Sequence, residues 1–154
     1  MTDIDLMRLA AELGLKAPHT ENELAVGCVI ADQAGNVVAT GFSREDGIEQ
    51  SHAEDIALRK LSPGIDPAKL KLYSTVEPCG TRLSAGPTCT RRIIETGIRA
   101  VYYAMHEPDH FVHQNGIAQM RDIGMYVEHL CDDIIFAAVE KANPHIAWAR
   151  KRAS

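Results

Sequence analysis

Residues 24–31 read LAVGCVIA, eight positions without a single charge. A near-continuous apolar run of that length suggests a buried strand rather than a half-wet alternating one. Asp32-Gln33-Ala34-Gly35-Asn36 then reads as a hairpin turn, with Val37 to Phe42 as the return strand. Upstream, Ile4, Met7, Ala11 and Leu15 recur at helical spacing, which predicts an amphipathic helix over 3–15. Downstream, Ser51 opens a helix to about Leu61, stopped by Ser62-Pro63-Gly64. Leu70 to Thr75 is a third strand, and Gly86-Pro87 opens a helix that Gly97 closes. Arg99 to Met105 is a fourth strand, 116–124 a helix, and Met125 to Val127 a short fifth strand. A last helix starts near Asp132 or Asp133, and Pro144 is expected to kink or split it. Strands alternating with helices imply an α/β layered fold. The helical crossovers between strands three, four and five predict a mixed five-stranded sheet, antiparallel at the hairpin and parallel afterwards.

The 154 residues suit one domain with one core. A formal net charge of −5 argues against a nucleic-acid surface, which needs Lys and Arg to neutralise phosphates. The basic cluster Arg150-Lys151-Arg152 reads as a solvated tail. No segment approaches ~18 consecutive apolar residues, so no membrane span is expected. Met1 to Asp5 is acidic and lacks the pattern of a secretory signal, which leaves a cytoplasmic location as the expectation. With no export signal, the four cysteines are expected to be ligands or core thiols rather than disulfides. Cys28, inside the first strand, reads as a core thiol, and Cys131 is given no role.

Three short motifs carry chemistry: Ser51-His52-Ala53-Glu54, Glu77-Pro78-Cys79 and Gly86-Pro87-Thr88-Cys89. Each alone has an ordinary reading. Ser51 with Glu54 matches a helix capping box, and two cysteines ten residues apart serve as well in a core. Together, one imidazole and two thiolates make a three-ligand tetrahedral zinc site with the fourth position open, as catalytic sites require. His52 and Cys89 fall at predicted helix starts and Cys79 on a loop. A helix N-terminus favours thiolate over thiol, which suits Cys89 as a ligand. Glu54, two residues after the ligand His52, is placed to act as a base without ligating.

At these residues the chain resembles the cytidine-deaminase superfamily, whose signature is His-x-Glu followed by Pro-Cys-x-x-Cys. The nine residues between Cys79 and Cys89 are similar instead to the pyrimidine deaminase of riboflavin biosynthesis, which has eight. Val26-Gly27-Cys28-Val29-Ile30, Thr75-Val76-Glu77-Pro78-Cys79, Glu95-Thr96-Gly97-Ile98 and Val101-Tyr102-Tyr103-Ala104-Met105 resemble that family too. So do His106-Glu107-Pro108-Asp109 and Asn115-Gly116-Ile117, so that the likeness runs over roughly residues 20 to 130. The resemblance implies a three-layer αβα cytidine-deaminase-like fold, a bound Zn²⁺ on His52, Cys79 and Cys89, and Glu54 as catalytic proton carrier. It implies that the backbone of Ala53 and of the stretch near Ser74 holds the ring, and that Glu23, Arg82, His106 and Asp109 border the substrate. It also implies a small aminopyrimidine-type substrate and a homo-oligomer, with the kinked C-terminal helix available as an interface.

The chain departs from the family at its periphery. Glu23-Leu24 stands where the family has Asn-Pro, the loop between the cysteines lacks His, and Asn115 replaces a Lys. The family's usual C-terminal reductase domain is not expected within these 154 residues. An altered periphery suggests an altered ring or a ligand without phosphate. Deaminases of cytosine, cytidine or guanine remain the alternative. A nucleic-acid editor is disfavoured by the acidic balance, and a zinc-stabilised binding module by the presence of Glu54.

Overall fold

The computed structural model describes residues 1–80, 88–108 and 116–148. Helix α1 (Asp3–Gly14) is followed by strands β1 (Gly27–Ala31) and β2 (Val37–Phe42), then helix α2 (Ala53–Arg59). A short 3-10 turn at Pro67–Lys69, not anticipated from the sequence, leads into β3 (Lys71–Val76). Helix α3 (Cys89–Thr96), β4 (Ala100–Met105), α4 (Gly116–Asp122), β5 (Tyr126–His129) and α5 (Asp133–Ala142) complete the order. The strands form one five-stranded sheet in the order β2-β1-β3-β4-β5. β1 pairs antiparallel with β2 and β3, while β3, β4 and β5 run parallel. The mixed sheet read from the sequence is therefore the observed one.

Alternation along the strands feeds two cores. Val29, Tyr73, Tyr102 and Ala104 face one side, where Leu6, Met7 and Ala10 of α1 and Ile135 and Val139 of α5 cover them. Cys28, Ile30, Leu72 and Val101 face the other, with Ala53 and Ala57 of α2, Ile93 of α3 and Met120 of α4. That places one helical layer on each face of the sheet, as the αβα expectation required.

Two glycines let the helices come close. A Cβ on Gly27 would sit 1.7 Å from the Ala10 carbonyl oxygen of α1. One on Gly41 would sit 2.4 Å from Ala53 O and 2.9 Å from Ala57 N, both on α2. Because these neighbours are backbone, relief requires moving the helix. Gly41→Ala should lift α2 from β2 at a cost of ~1–3 kcal/mol, the usual range for overpacking. A lowered midpoint in urea unfolding checks this, and an unchanged midpoint would show that α2 tolerates the shift.

Four expectations need correction. The first strand starts at Gly27 rather than Leu24, because side chains take the backbone groups before it. Asn143 accepts from Ala25 N (2.7 Å) and donates to Ala25 O (3.0 Å), and Val26 N donates to Ser43 Oγ (2.9 Å). Pro144 neither kinks nor splits the last helix. α5 ends at Ala142, with Asn143 at φ −130° and ψ 66°, since a residue preceding proline disfavours the helical region. Ser51 caps no helix: its hydroxyl donates to Asp46 Oδ2 (2.8 Å), and the N-cap of α2 is His52. The capping box lies instead on α1, between Thr2 and Asp5. Finally, α3 begins at Cys89 behind an N-cap at Thr88, whose side chain accepts from Arg91 N. Gly97 does close it, at φ 100°. Among the described residues, no helix is long and apolar enough to cross a membrane.

Candidate active site

The site lies past the C-terminal ends of the parallel strands β3 and β4, where ligands gather in α/β sheets. His52 caps α2 in extended backbone (φ −89°, ψ 148°), and its ring makes no capping bond, so it is left for other work. Cys79 stands on the loop that leaves β3, and Cys89 is the first residue of α3. Pro78 and Cys79 are fixed by the first turn of α3. Thr90 N donates to Cys79 O (3.2 Å), and Thr90 Oγ1 donates to Pro78 O (3.3 Å). Gly116 presses on the same loop from α4, where a Cβ would fall 2.4 Å from Pro78 O and 2.5 Å from Thr90 Oγ1. Gln119 Nε2 donates to Gly80 O (3.2 Å) from one turn further on.

These elements bring three donor atoms together. His52 Nδ1 lies 3.0 Å from Cys89 Sγ and 3.9 Å from Cys79 Sγ, and all three atoms lie within 4.8 Å of one another. A tetrahedral zinc with Zn–S ≈ 2.3 Å and Zn–N ≈ 2.0–2.1 Å separates its N and S ligands by roughly 3.6 Å. The observed distances straddle that value. One nitrogen and two sulfurs, with the cysteines buried and the histidine half-buried, fit Zn²⁺ in residue type, number and spacing.

The two thiols share a proton unequally. Cys79 is held well below the ordinary thiol range, first by a hydrogen bond from Cys89 and then by His52. That same bond, with burial, pushes Cys89 up. The N–H at the start of α3, on Cys89, donates to Cys79 Sγ (3.3 Å), so the helix end favours thiolate on Cys79 rather than on Cys89 itself. Cys28 is fully buried and its thiol is pushed up by burial, which agrees with a core role.

Glu54 follows in the first turn of α2, only 4% exposed. Burial pushes its carboxyl up to about 7, with Cys79 and Asp55 adding to the rise and His52 opposing it. A carboxyl poised there both accepts and donates protons near neutrality.

The remaining sequence candidates are spread around this centre. Ala53 is the buried first residue of α2, and Ser74 is buried in β3 with its hydroxyl donating to Val76 O (2.7 Å). His106 leaves the end of β4 with Nδ1 3.7 Å from Glu77 Oε2, stacked on His129 at 5.5 Å. Glu23 is half-buried before β1, beside the guanidinium of Arg44. Arg82 and Asp109 lie outside the described residues.

Three features escaped sequence reading. Glu77 Oε1 accepts from Glu107 N (2.8 Å) and so joins the loop after β3 to the loop after β4. Arg44 is buried at φ 61° and donates to Pro18 O (2.9 and 2.7 Å) and Leu24 O (3.2 Å), clamping the segment that carries Glu23. Asp55 faces Arg92 across α2 and α3. The positive φ of a non-glycine residue and a buried acid beside Glu54 have no local pattern to announce them.

The chain belongs to the family described as the cytidine and deoxycytidylate deaminase zinc-binding region, whose profile matches residues 1–105. Its fold and donor set are those of a zinc-binding deaminase domain. It is 36% identical over 115 residues to the diaminohydroxyphosphoribosylamino-pyrimidine deaminase of Schizosaccharomyces pombe, covering 73% of this chain and 28% of that protein. It is 30% identical over 159 residues to the riboflavin biosynthesis protein RibD of Aquifex aeolicus, covering 96% and 43%. A solved structure from Thermotoga maritima, a diaminohydroxyphosphoribosylaminopyrimidine deaminase/5-amino-6-(5-phosphoribosylamino)uracil reductase, superposes with a TM-score of 0.74. The identity there is 28%, over 90% of this chain and 38% of that one. The chain thus spans less than half the length of these relatives.

Proposed function

We propose that this chain is a zinc-dependent hydrolytic deaminase that converts a ring amino group of a pyrimidine-type substrate to a carbonyl, releasing ammonia. The observation that carries the reading is the His52–Cys79–Cys89 cluster with the buried Glu54, poised near 7, on the same helix start. His52, Cys79 and Cys89 would hold the zinc, which when bound supplies the acidity that makes water a nucleophile near neutrality. Glu54 takes one proton from the attacking water and delivers it to the ring nitrogen beside the amino-bearing carbon. The new C–O bond forms as that nitrogen gains its proton. Glu54 then carries the second proton to the departing amine, the C–N bond breaks, and ammonia leaves. One carboxyl serves both steps because it alternates between base and acid. The backbone at Ala53 and near Ser74 orients the ring, while Glu23, Arg82, His106 and Asp109 grip its substituents.

The relatives favour the diaminopyrimidine carrying a phosphoribosylamino group as the substrate. Ammonia release should therefore be fastest with that compound when it is compared with cytidine, cytosine and guanine in one assay. Preference for one of the other three would reject the riboflavin-pathway substrate and leave the zinc chemistry standing. No release from any of them, with zinc bound, would turn the reading towards a binding module. The negative net charge supports a small-molecule partner over nucleic acid, and a mobility-shift assay with single-stranded DNA and tRNA tests that. A homo-oligomer and a cytoplasmic location complete the reading, the first checked by light scattering and the second by fractionation.

A further inference from the structure

The two helices that carry His52 and Cys89 are joined by charge one turn away from the donor atoms. Asp55, in the first turn of α2, faces Arg92 of α3, with Arg92 Nε 3.3 Å from Asp55 Oδ1. Both of these atoms are withdrawn from solvent. The Asp55 side chain is 8% exposed, and the Arg92 side chain, at 37%, opens on a groove between the helices. Asp55 is three residues after His52, and Arg92 three after Cys89, so each charge sits roughly one turn below one donor. Nearby, Ala53 and Ala57 of α2 and Ile93 of α3 share one apolar core cluster. Such surfaces slide at little cost, whereas a charge pair does not.

We infer that Asp55 and Arg92 are positioning residues: their ion pair sets the spacing of α2 and α3 so that His52 Nδ1 and Cys89 Sγ stand at zinc-binding distance. Burying a charged pair is no efficient way to gain stability, since an apolar pair of similar size does as well or better. What the pair adds is a fixed distance and register between two helix starts. Preorganising ligands in this way raises metal affinity, because the ordering is complete before the ion arrives. Groups that orient ligands without touching the metal are typically worth ~10–100-fold in metal affinity. The inference rests on the zinc reading above.

The test is zinc affinity measured on the full chain by chelator competition, alongside thermal unfolding of the metal-free protein. Arg92→Met keeps length and apolar stem and removes the charge. It should bind zinc ~10–100-fold more weakly than wild type while the metal-free protein still unfolds cooperatively. Arg91→Met breaks the exposed Arg91–Glu95 pair, which lies one turn apart within α3, and should leave zinc affinity unchanged. Wild-type affinity in Arg92→Met, or an equal loss in Arg91→Met, overturns the inference. If Arg92→Met does not fold, Arg92→Lys decides. A loss of at least threefold from this misplaced cation supports positioning, and wild-type affinity assigns the pair to folding alone and overturns it. Absence of zinc binding by the wild type overturns the zinc reading itself, a result distinct from the others.

Discussion

Glu54→Gln should retain zinc and fold and lose activity by ~10²–10⁴-fold, the range for removing one proton-transfer group. Gln has the shape of Glu and cannot cycle a proton, so kcat should fall with little change in zinc content. The substitution also has an opposite effect on stability, and its sign follows from linkage. Burial raises the Glu54 carboxyl from 4.5 to about 7 in the folded chain. Between those values the folded state holds a proton that the unfolded state has lost. Stability therefore falls as pH rises through that window, and by pH 8 the full cost of a buried carboxylate is present. A shift of that size corresponds to about 3 kcal/mol. With metal removed from both proteins, Glu54→Gln should be more stable than wild type at pH 8 by up to that amount, and equal to it near pH 4. Urea unfolding at the two pH values, with an activity assay, checks both halves. Activity close to wild type would reject Glu54 as the proton carrier. Loss of activity accompanied by lower stability at pH 8 would make it a structural residue instead.

The order of elements was legible because each signal is local. Leu24–Ala31 and Val37–Phe42 flank a turn of their own, and Gly97 stands where a left-handed residue must end α3. What was not legible depends on partners far along the chain. The start of β1 is set by Asn143, 118 residues away, whose side chain takes both backbone groups of Ala25. That same Asn143 leaves the helix before Pro144, so one residue accounts for two misplaced boundaries. The Ser51-x-x-Glu54 pattern was real but served another end, because Asp46 claims the Ser51 hydroxyl and Glu54 turns into the buried site. The donor residues could be found by type and spacing. The thiolate's position could not, since it rests first on the hydrogen bond from the Cys89 thiol, then on His52 and the Cys89 N–H, contacts made across a loop of nine residues. Arg82 and Asp109 lie outside the described residues, so their roles rest on the family likeness alone.

Removing a donor should have the largest effect on the metal. Wild-type protein is expected to carry one zinc per chain, and His52→Ala and Cys89→Ser to carry almost none at equal free zinc. With three protein ligands, loss of one leaves two and a solvent-filled gap, a deficit well beyond the ~10–100-fold of an outer residue such as Arg92. Stability follows affinity, because any ion that binds only the folded chain stabilises it by RT ln(1 + [Zn]/Kd). Zinc should therefore raise the unfolding temperature of wild type and leave that of the two variants nearly unmoved. Cys28→Ser is the control. Cys28 is as buried as Cys89, yet it stands in β1, in the core cluster shared with Ala53, Ala57 and Ile93, and is absent from the donor cluster. Its substitution should cost core stability while zinc content stays at one per chain. Elemental analysis on the four proteins separates the outcomes. Zinc retained by Cys89→Ser, or lost equally from Cys28→Ser, would mean that the cysteines act through the core and that the metal, if bound, sits elsewhere.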